Sequence, residues 1–222
     1  MIALRAKARA VAPFAAAAAL WCAASAVDAA RPERRMGRSE ELLYFPSGLW
    51  VRQASLGYET AAADLGWLRC IQYYGEHRMT DNRFDRIGHV TEIVQELDPR
   101  FDQPTIFGAF VLGQEMGRPE AGLALLRRGL ERNPESWQLA FEIGFLYYVC
   151  FDDHAAAARY FAMASRLPGH PDYVERFAAF AFQRAGEREM AILLWKRVLA
   201  TGNKYMQEVA RREIERLGGD PA

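Results

Sequence analysis

A chain of 222 residues can bury one sizeable hydrophobic core, and a composition of 51% apolar and 25% charged residues is ordinary for a folded protein. The 28 Lys and Arg residues balance the 28 Asp and Glu residues, so no net field attracts nucleic acid or an anionic membrane. The composition therefore excludes a disordered tail and argues against a polyanion-binding protein.

The N-terminal segment 1–29 has the three-part layout of a secretory signal peptide. Positive charges come first, an uncharged, Ala-rich run from Ala10 to Val27 follows, and small residues in "VDAA" make cleavage after Ala29 plausible. We therefore expect a periplasmic or exported protein. The arginines of the following "RPERRMGR" resist translocation, so an uncleaved anchor in the inner membrane, facing the periplasm, stays open as an alternative.

After a predicted N-terminal linker, 30–50, the segment 51–101 reads as a helical hairpin. Helices are expected over Leu56–Tyr74 and Phe84–Leu97, joined by the polar loop "GEHRMTDNR". A hairpin at the end of a row of packed helix pairs has a neighbour on one side only. An aromatic-rich helix can compensate for the missing neighbour by burying more apolar area against the next hairpin. Helical spacing predicts four core residues in the first of these helices: Trp67, Leu68, Ile71 and Tyr74.

Three proline-containing helix ends, "QELDPRF", "LERNPES" and "SRLPGHP", recur along the rest of the chain. The prolines, at positions 99, 134 and 168, are separated by 35 and 34 residues. Each follows an amphipathic run and can end one helix while starting the next. A fixed period of this length is typical of repeat architectures, and it divides the segment 102–202 into three units of two helices each.

Small and large residues recur in phase within these units, as antiparallel helices need if they are to interdigitate. The small residues expected at the close contacts are Ala109, Gly144 and Ala179 in the first helices and Ala121, Ala156 and Ala191 in the second. The large residues expected to face them are Leu112, Tyr147 and Phe182, then Leu125, Tyr160 and Trp195.

This combination of positions resembles the tetratricopeptide repeat (TPR) family over about Asp102–Asn203. The pattern departs from the family where Leu112 and Leu125 replace aromatics and where Asn203 replaces the closing proline. The resemblance implies an all-α fold, a right-handed superhelical array of antiparallel helix pairs. In the segment 203–222, "NKYMQEVARREIERLGG" predicts a C-terminal capping helix, whose apolar stripe is interrupted by Glu213.

No enzymatic constellation is evident, and neither a cofactor nor a metal is expected. The four histidines, His77, His89, His154 and His170, lack metal-ligand spacing with the cysteines. There is no glycine-rich phosphate loop and no nucleophile elbow. Cys70 and Cys150 lie in apolar helical patterns and are expected to be buried free thiols.

The resemblance implies that the first helices line a concave wall that holds peptides or extended protein segments. Such a wall would offer aromatic stacking, amide pairing to a backbone, and arginine for a carboxylate. Some aromatics could instead pack under the capping helix. The groove positions carried over are Gln103, Ile106, Phe110, Gln114, Gln138, Phe141, Phe145, Tyr148, Tyr173, Arg176, Phe180, Gln183 and Arg184.

The expected concave wall suggests two hypotheses for the function of the protein. A non-catalytic adaptor or scaffold that binds a protein or peptide partner is the first hypothesis. The alternative is a membrane-anchored structural or assembly subunit of an envelope complex. No nucleic-acid partner is expected, and membrane contact is expected only if the N-terminal segment is retained.

Overall fold

The computed structural model describes residues 47–221, and every regular element in that range is helical. The predicted signal peptide and the linker up to residue 46 lie outside the described residues. The first described helix begins at Gly48, inside the remaining part of that linker. The helices are α1 (Gly48–Ala54), α2 (Glu59–Arg78), α3 (Ile87–Leu97), α4 (Asp102–Phe110, continued by the π-helical turn Val111–Glu115), α5 (Pro119–Arg132), α6 (Trp137–Cys150), α7 (His154–Ala164), α8 (Tyr173–Arg184), α9 (Arg188–Thr201) and α10 (Lys204–Arg216).

Local capping chemistry explains where several helices start. Ser136 accepts a hydrogen bond from the backbone N–H of Leu139 at 3.1 Å, and Asp153 accepts one from Ala156 at 2.8 Å. Each satisfies a donor that the first helical turn leaves unpaired. Asn203 caps α10 in the same way, through the N–H of Met206 at 3.0 Å. The closing proline that the third unit lacks is thus replaced by an N-cap that separates α9 from α10.

Helices that follow one another in the chain pack against one another from α2 to α10, and α1 packs on α2 and α3. One hydrophobic cluster spans α6 to α10, and its largest fully buried side chains include Phe161, Trp195 and Ile214. A smaller cluster joins Ala63 of α2 to Ile93, Val94 and Leu97 of α3. The all-helical class is therefore observed in residues 47–221, and from α2 onward each helix packs against the next one in the chain.

Close helix–helix contacts occur at two glycines. A β-carbon on Gly144 of α6 would lie 2.9 Å from Cδ1 of Phe161 and 3.1 Å from the carbonyl oxygen of Ala157, both on α7. In the preceding unit, a β-carbon on Gly122 of α5 would lie 2.8 Å from the carbonyl oxygen of Ala109 on α4. Backbones this close leave no room for a side chain.

Two of the predicted packing positions are shifted by one residue. Ala121 is only half-buried, and Gly122 makes the close contact with α4 instead. Likewise Tyr160 is half-buried and stacks on Tyr147, while Phe161 is the fully buried ring of α7. A one-residue step turns a helix by about 100°. The sequence period therefore located these contacts to within one residue without showing which of two neighbours faces inward.

The first hairpin differs more from its prediction. Helix α2 extends to Arg78, so the loop begins at Met79. Leu68 and Ile71 are 54% and 44% exposed, and the prediction that they form core is wrong. The buried face of α2 instead carries small residues and a few larger ones: Ala63, Gly66, Cys70, Tyr73 and His77.

The reason for this rotation is the close approach of α2 to α3. A β-carbon on Gly66 would lie 2.9 Å from Cγ2 of Val94, so the small residues of α2 face its partner. The larger Trp67 and Tyr74 are half-buried at the side of this contact. Contact distance, rather than hydrophobicity alone, selects the buried face.

The turns between paired helices repeat one backbone feature. Gly117, Asp152 and Gly186 all have positive φ, at 61°, 53° and 80°. Their spacings match the 35 and 34 residues between the prolines. Such φ values are easy for glycine and unfavourable for residues that carry a β-carbon.

Burial at the repeat contact predicts that Gly144→Leu lowers the free energy of unfolding by about 1–3 kcal/mol or more, because the leucine overpacks against α7. Urea unfolding measures the change. Gly75→Leu is the matched control, since a β-carbon on Gly75 meets no atom within 4 Å. An equal loss for both variants would contradict the contact.

The turn geometry predicts that Gly186→Ala lowers stability by about 1–2 kcal/mol, the cost of left-handed backbone for an L-residue. No atom lies within 4 Å of the added β-carbon, so the loss is purely conformational. Asp152→Gly, in the equivalent turn, should not lower stability. Thermal and urea unfolding of both variants test the expected contrast.

Candidate functional site

The first helices of successive pairs form a row in which each contacts the next. Between α2 and α4 the rings of Trp67 and Phe107 lie 5.5 Å apart; between α6 and α8 those of Phe141 and Phe177 lie 5.2 Å apart. Backbone contacts join α4 to α6. Gln183 of α8 reaches α10 by a hydrogen bond. Most of the candidate site lies in three cavities along this row.

A cavity of about 500 Å³ opens between α2, α4 and α6; we call it the acidic cavity. Its lining is mainly apolar and aromatic, with two amides and one charged side chain, Glu142, among the described residues. Besides Glu142, the lining includes Trp67, Gln103, Ile106, Phe107, Phe110, Gln114 and Phe145. A volume of this size is typical of ligand pockets.

A cavity of about 780 Å³ lies between α6, α8 and α10; we call it the basic cavity. Three arginines and one glutamate face it, so its charge is opposite to that of the acidic cavity. Arg176 lies 5.9 Å above the ring of Phe177, and Arg216 pairs with Glu213 at 3.0 Å. The full lining is Tyr148, Arg176, Phe177, Phe180, Gln183, Arg184, Glu213 and Arg216.

A third and smaller cavity, of about 320 Å³, lies where α8, α9 and α10 meet. Arg176 lines it as well as the basic cavity, together with Tyr173 and Met206. The Nη1 atom of Arg176 lies 3.4 Å from the sulfur of Met206. The guanidinium therefore stands at the border between these two cavities.

Most of the sequence-predicted groove residues lie in these cavities. The acidic cavity brings together Gln103, Ile106, Phe110, Gln114 and Phe145. The basic cavity brings together Tyr148, Arg176, Phe180, Gln183 and Arg184, and Tyr173 lines the third cavity. Gln138 is half-buried and lines none of the three.

The sequence analysis placed Phe141 among the groove positions, but its side chain is buried. It is only 9% exposed, and its ring lies 5.0 Å from Phe161 and 5.6 Å from Tyr173. Gly144 lets α7 approach closely enough to place Phe161 next to Phe141, which closes the hydrophobic cluster there. Phe145, one turn later on α6, is half-buried and lines the acidic cavity.

Gln183 is also less available than predicted. Its amide donates to Oε2 of Glu213 at 3.0 Å and accepts from the indole N–H of Trp195 at 3.2 Å. The side chain thus joins α8 to α9 and α10. Pairing with a ligand backbone, as predicted for the groove glutamines, would require these bonds to break.

Several lining residues were not predicted as part of the site from the sequence, among them Trp67, Glu142 and Glu213. Glu142 had a visible signal, since it is the sole charged residue in the otherwise apolar α6. Glu213 had one too, because it interrupts the apolar stripe of the capping helix. A charge on an apolar helix face points to a polar cavity or partner.

Burial gives Glu142 unusual electrostatics. Desolvation raises the pKa of its carboxyl group above the ordinary value. The pKa of Tyr173 is raised as well, first by desolvation and second by the negative charge of Glu142. Among the described residues, Glu142 forms no ion pair and no hydrogen bond. Its charge is therefore poorly compensated within the protein.

Burial also raises the pKa of both cysteines in the described chain. Cys70 is a buried free thiol whose pKa is raised by burial to about 12, and Cys150 is half-buried and also free. No group of three or more His, Cys, Asp and Glu side chains in residues 47–221 is placed to hold a metal ion. No protein-family model matches the sequence, and no curated protein matches it either.

The positions of the two α6 rings predict different effects on stability. Phe141→Ala should lower the free energy of unfolding by about 3–5 kcal/mol, as expected for a buried aromatic. Phe145→Ala should cost clearly less, because part of that ring faces the acidic cavity. Urea unfolding of the two variants tests this order, and a larger loss for Phe145→Ala would contradict the placement.

Proposed function

We propose that the protein is a non-catalytic adaptor of the TPR type that holds an extended segment of a partner protein. In this proposal the helix pairs stack as a right-handed superhelix, and the row of first helices forms its concave wall. The acidic cavity, the basic cavity and the third cavity are then consecutive parts of one groove.

The observation that carries the proposal is the succession of two cavities of opposite charge, each with an exposed aromatic side chain. Phe110 stands in the acidic cavity and Phe180, 38% exposed, in the basic one. Exposed aromatics in concave surfaces are the usual anchors of protein contacts. Charged groups beside them provide specificity for one partner.

The positions and partners of the two cavity carboxylates favour binding over catalysis. Glu213 is already paired with Gln183 and Arg216. Glu142 lies in the other cavity, whose described lining holds no further acid, base or nucleophile. General acid–base catalysis needs such groups within hydrogen-bond reach of one another or of a shared substrate.

The proposed location is the periplasm or another exported compartment, supported by the signal-like segment 1–29. None of the helices within residues 47–221 combines the length and hydropathy that a bilayer span requires. Membrane attachment, in this proposal, would depend on the N-terminal segment alone.

A second candidate function is a structural or assembly subunit anchored by that segment. It is favoured by the exposed apolar residues of α1 and α2. Leu65, Leu68 and Ile71 follow one another at three-residue spacing on α2, and Leu49 and Trp50 are exposed on α1. Surfaces of this kind often dock into larger assemblies.

Affinity capture with the tagged full chain separates the two candidates. Phe180→Ala combined with Arg184→Gln should weaken capture of the native partner about thirtyfold, which corresponds to ~2 kcal/mol lost from an aromatic anchor and its neighbouring charge. Leu193→Ala, at an exposed position on α9, is the control. Loss on Leu65→Gln and Leu68→Gln with no loss in the groove variants would instead favour the assembly subunit.

A further inference from the structure

The acidic cavity combines an apolar lining with a carboxylate that has no partner in the described part of the protein, and a groove that binds peptides in general does not require such a group. Its lining places one half-buried carboxylate, that of Glu142, among aromatic and aliphatic side chains. Such an arrangement costs free energy in the unoccupied protein, because water around the carboxylate is partly replaced by apolar groups. A stable fold alone has no need of it, since a glutamine would fill the same place without charge.

We propose that the acidic cavity is a subsite for a lysine or arginine side chain of the bound segment, an inference that rests on the proposed function. The carboxylate of Glu142 would receive the cationic head of that side chain. The rings of Phe110 and Phe145 would lie along its methylene stem and beside its charge.

Charge complementarity is the first argument for this occupant. Glu142 has no ion-pair or hydrogen-bond partner among the described residues. An ammonium or guanidinium group is the ligand that such a carboxylate binds most strongly, by a charge-assisted hydrogen bond. Partial burial strengthens that bond, because less solvent screens it.

The shape and lining of the cavity are the second argument. A volume of about 500 Å³ holds a long side chain together with part of its backbone. Aromatic faces attract cations, and apolar walls suit the aliphatic stems of lysine and arginine. Gln103 and Gln114 lie at the same cavity and provide amides for the backbone of the segment.

The opposite charge of the basic cavity indicates how the bound segment would be oriented along the row of first helices. Arg176, Arg184 and Arg216 outnumber Glu213 there, so a cationic side chain is disfavoured in it. The two cavities are lined by successive first helices. A bound segment would therefore carry its cationic residue at the α4 side of α6, and not at the α8 side.

The test uses small probes with the full chain. The probes are Nα-acetyl-lysine methylamide and its neutral analogue Nα-acetyl-norleucine methylamide, with binding measured by saturation-transfer NMR titration. The lysine probe should bind about tenfold more tightly than the norleucine probe, the effect of one charge-assisted hydrogen bond. Glu142→Gln should abolish this preference.

Two further variants make the result specific. Glu189→Gln removes an exposed carboxylate on α9 that lines none of the three cavities, and it should leave the lysine preference unchanged. Gln103→Glu adds a second carboxylate to the acidic cavity and should strengthen lysine binding about threefold. Glu142→Gln should melt at or above the wild-type temperature, because burial disfavours the charged form that it removes.

Equal binding of the two probes, or an unchanged lysine preference in Glu142→Gln, would overturn the inference. The proposed function would survive that result if the groove variants still weaken partner capture. Conversely, unchanged capture by Phe180→Ala with Arg184→Gln would overturn the proposed function, whatever the probes show at the acidic cavity.

Discussion

The close approach of α6 and α7 at Gly144 is the contact on which the middle of the protein depends. Because Gly144 has no side chain, the ring of Phe161 lies close to the backbone of α6 and packs against Phe141. Phe141 in turn contacts Tyr173 and Phe177 on α8. One missing side chain therefore positions three helices. The same rings close the hydrophobic core and leave Phe145 half-buried at the wall of the acidic cavity.

Much of the architecture was predictable because the period of the sequence is strong. Prolines at a 35- and 34-residue spacing, with amphipathic runs between them, located helices α4 to α9 closely. The C-terminal helix α10 was also predictable, because its amphipathic pattern is visible in the sequence. These features depend on local chemistry and on short-range periodicity, which the sequence contains directly.

The orientation of individual faces was less predictable. Leu68 and Ile71 are as apolar as core residues, yet they are exposed because Gly66 and its neighbours turn toward α3. Phe141 and Phe145 are one turn apart on the same helix, and only the position of α7 decides which is buried. Glu142 illustrates the opposite case. Its isolation in an apolar helix was visible, but its cavity depends on α2 and α4, which are distant in sequence.

Photocrosslinking from single groove positions tests most directly the claim that the row of first helices holds a partner segment. A benzophenone amino acid in place of Phe180 should crosslink the native partner to the full chain. The same amino acid in place of Leu193, which is 54% exposed on α9, should not. Crosslinks of equal yield from both positions, or from Leu193 alone, would contradict binding along the first helices.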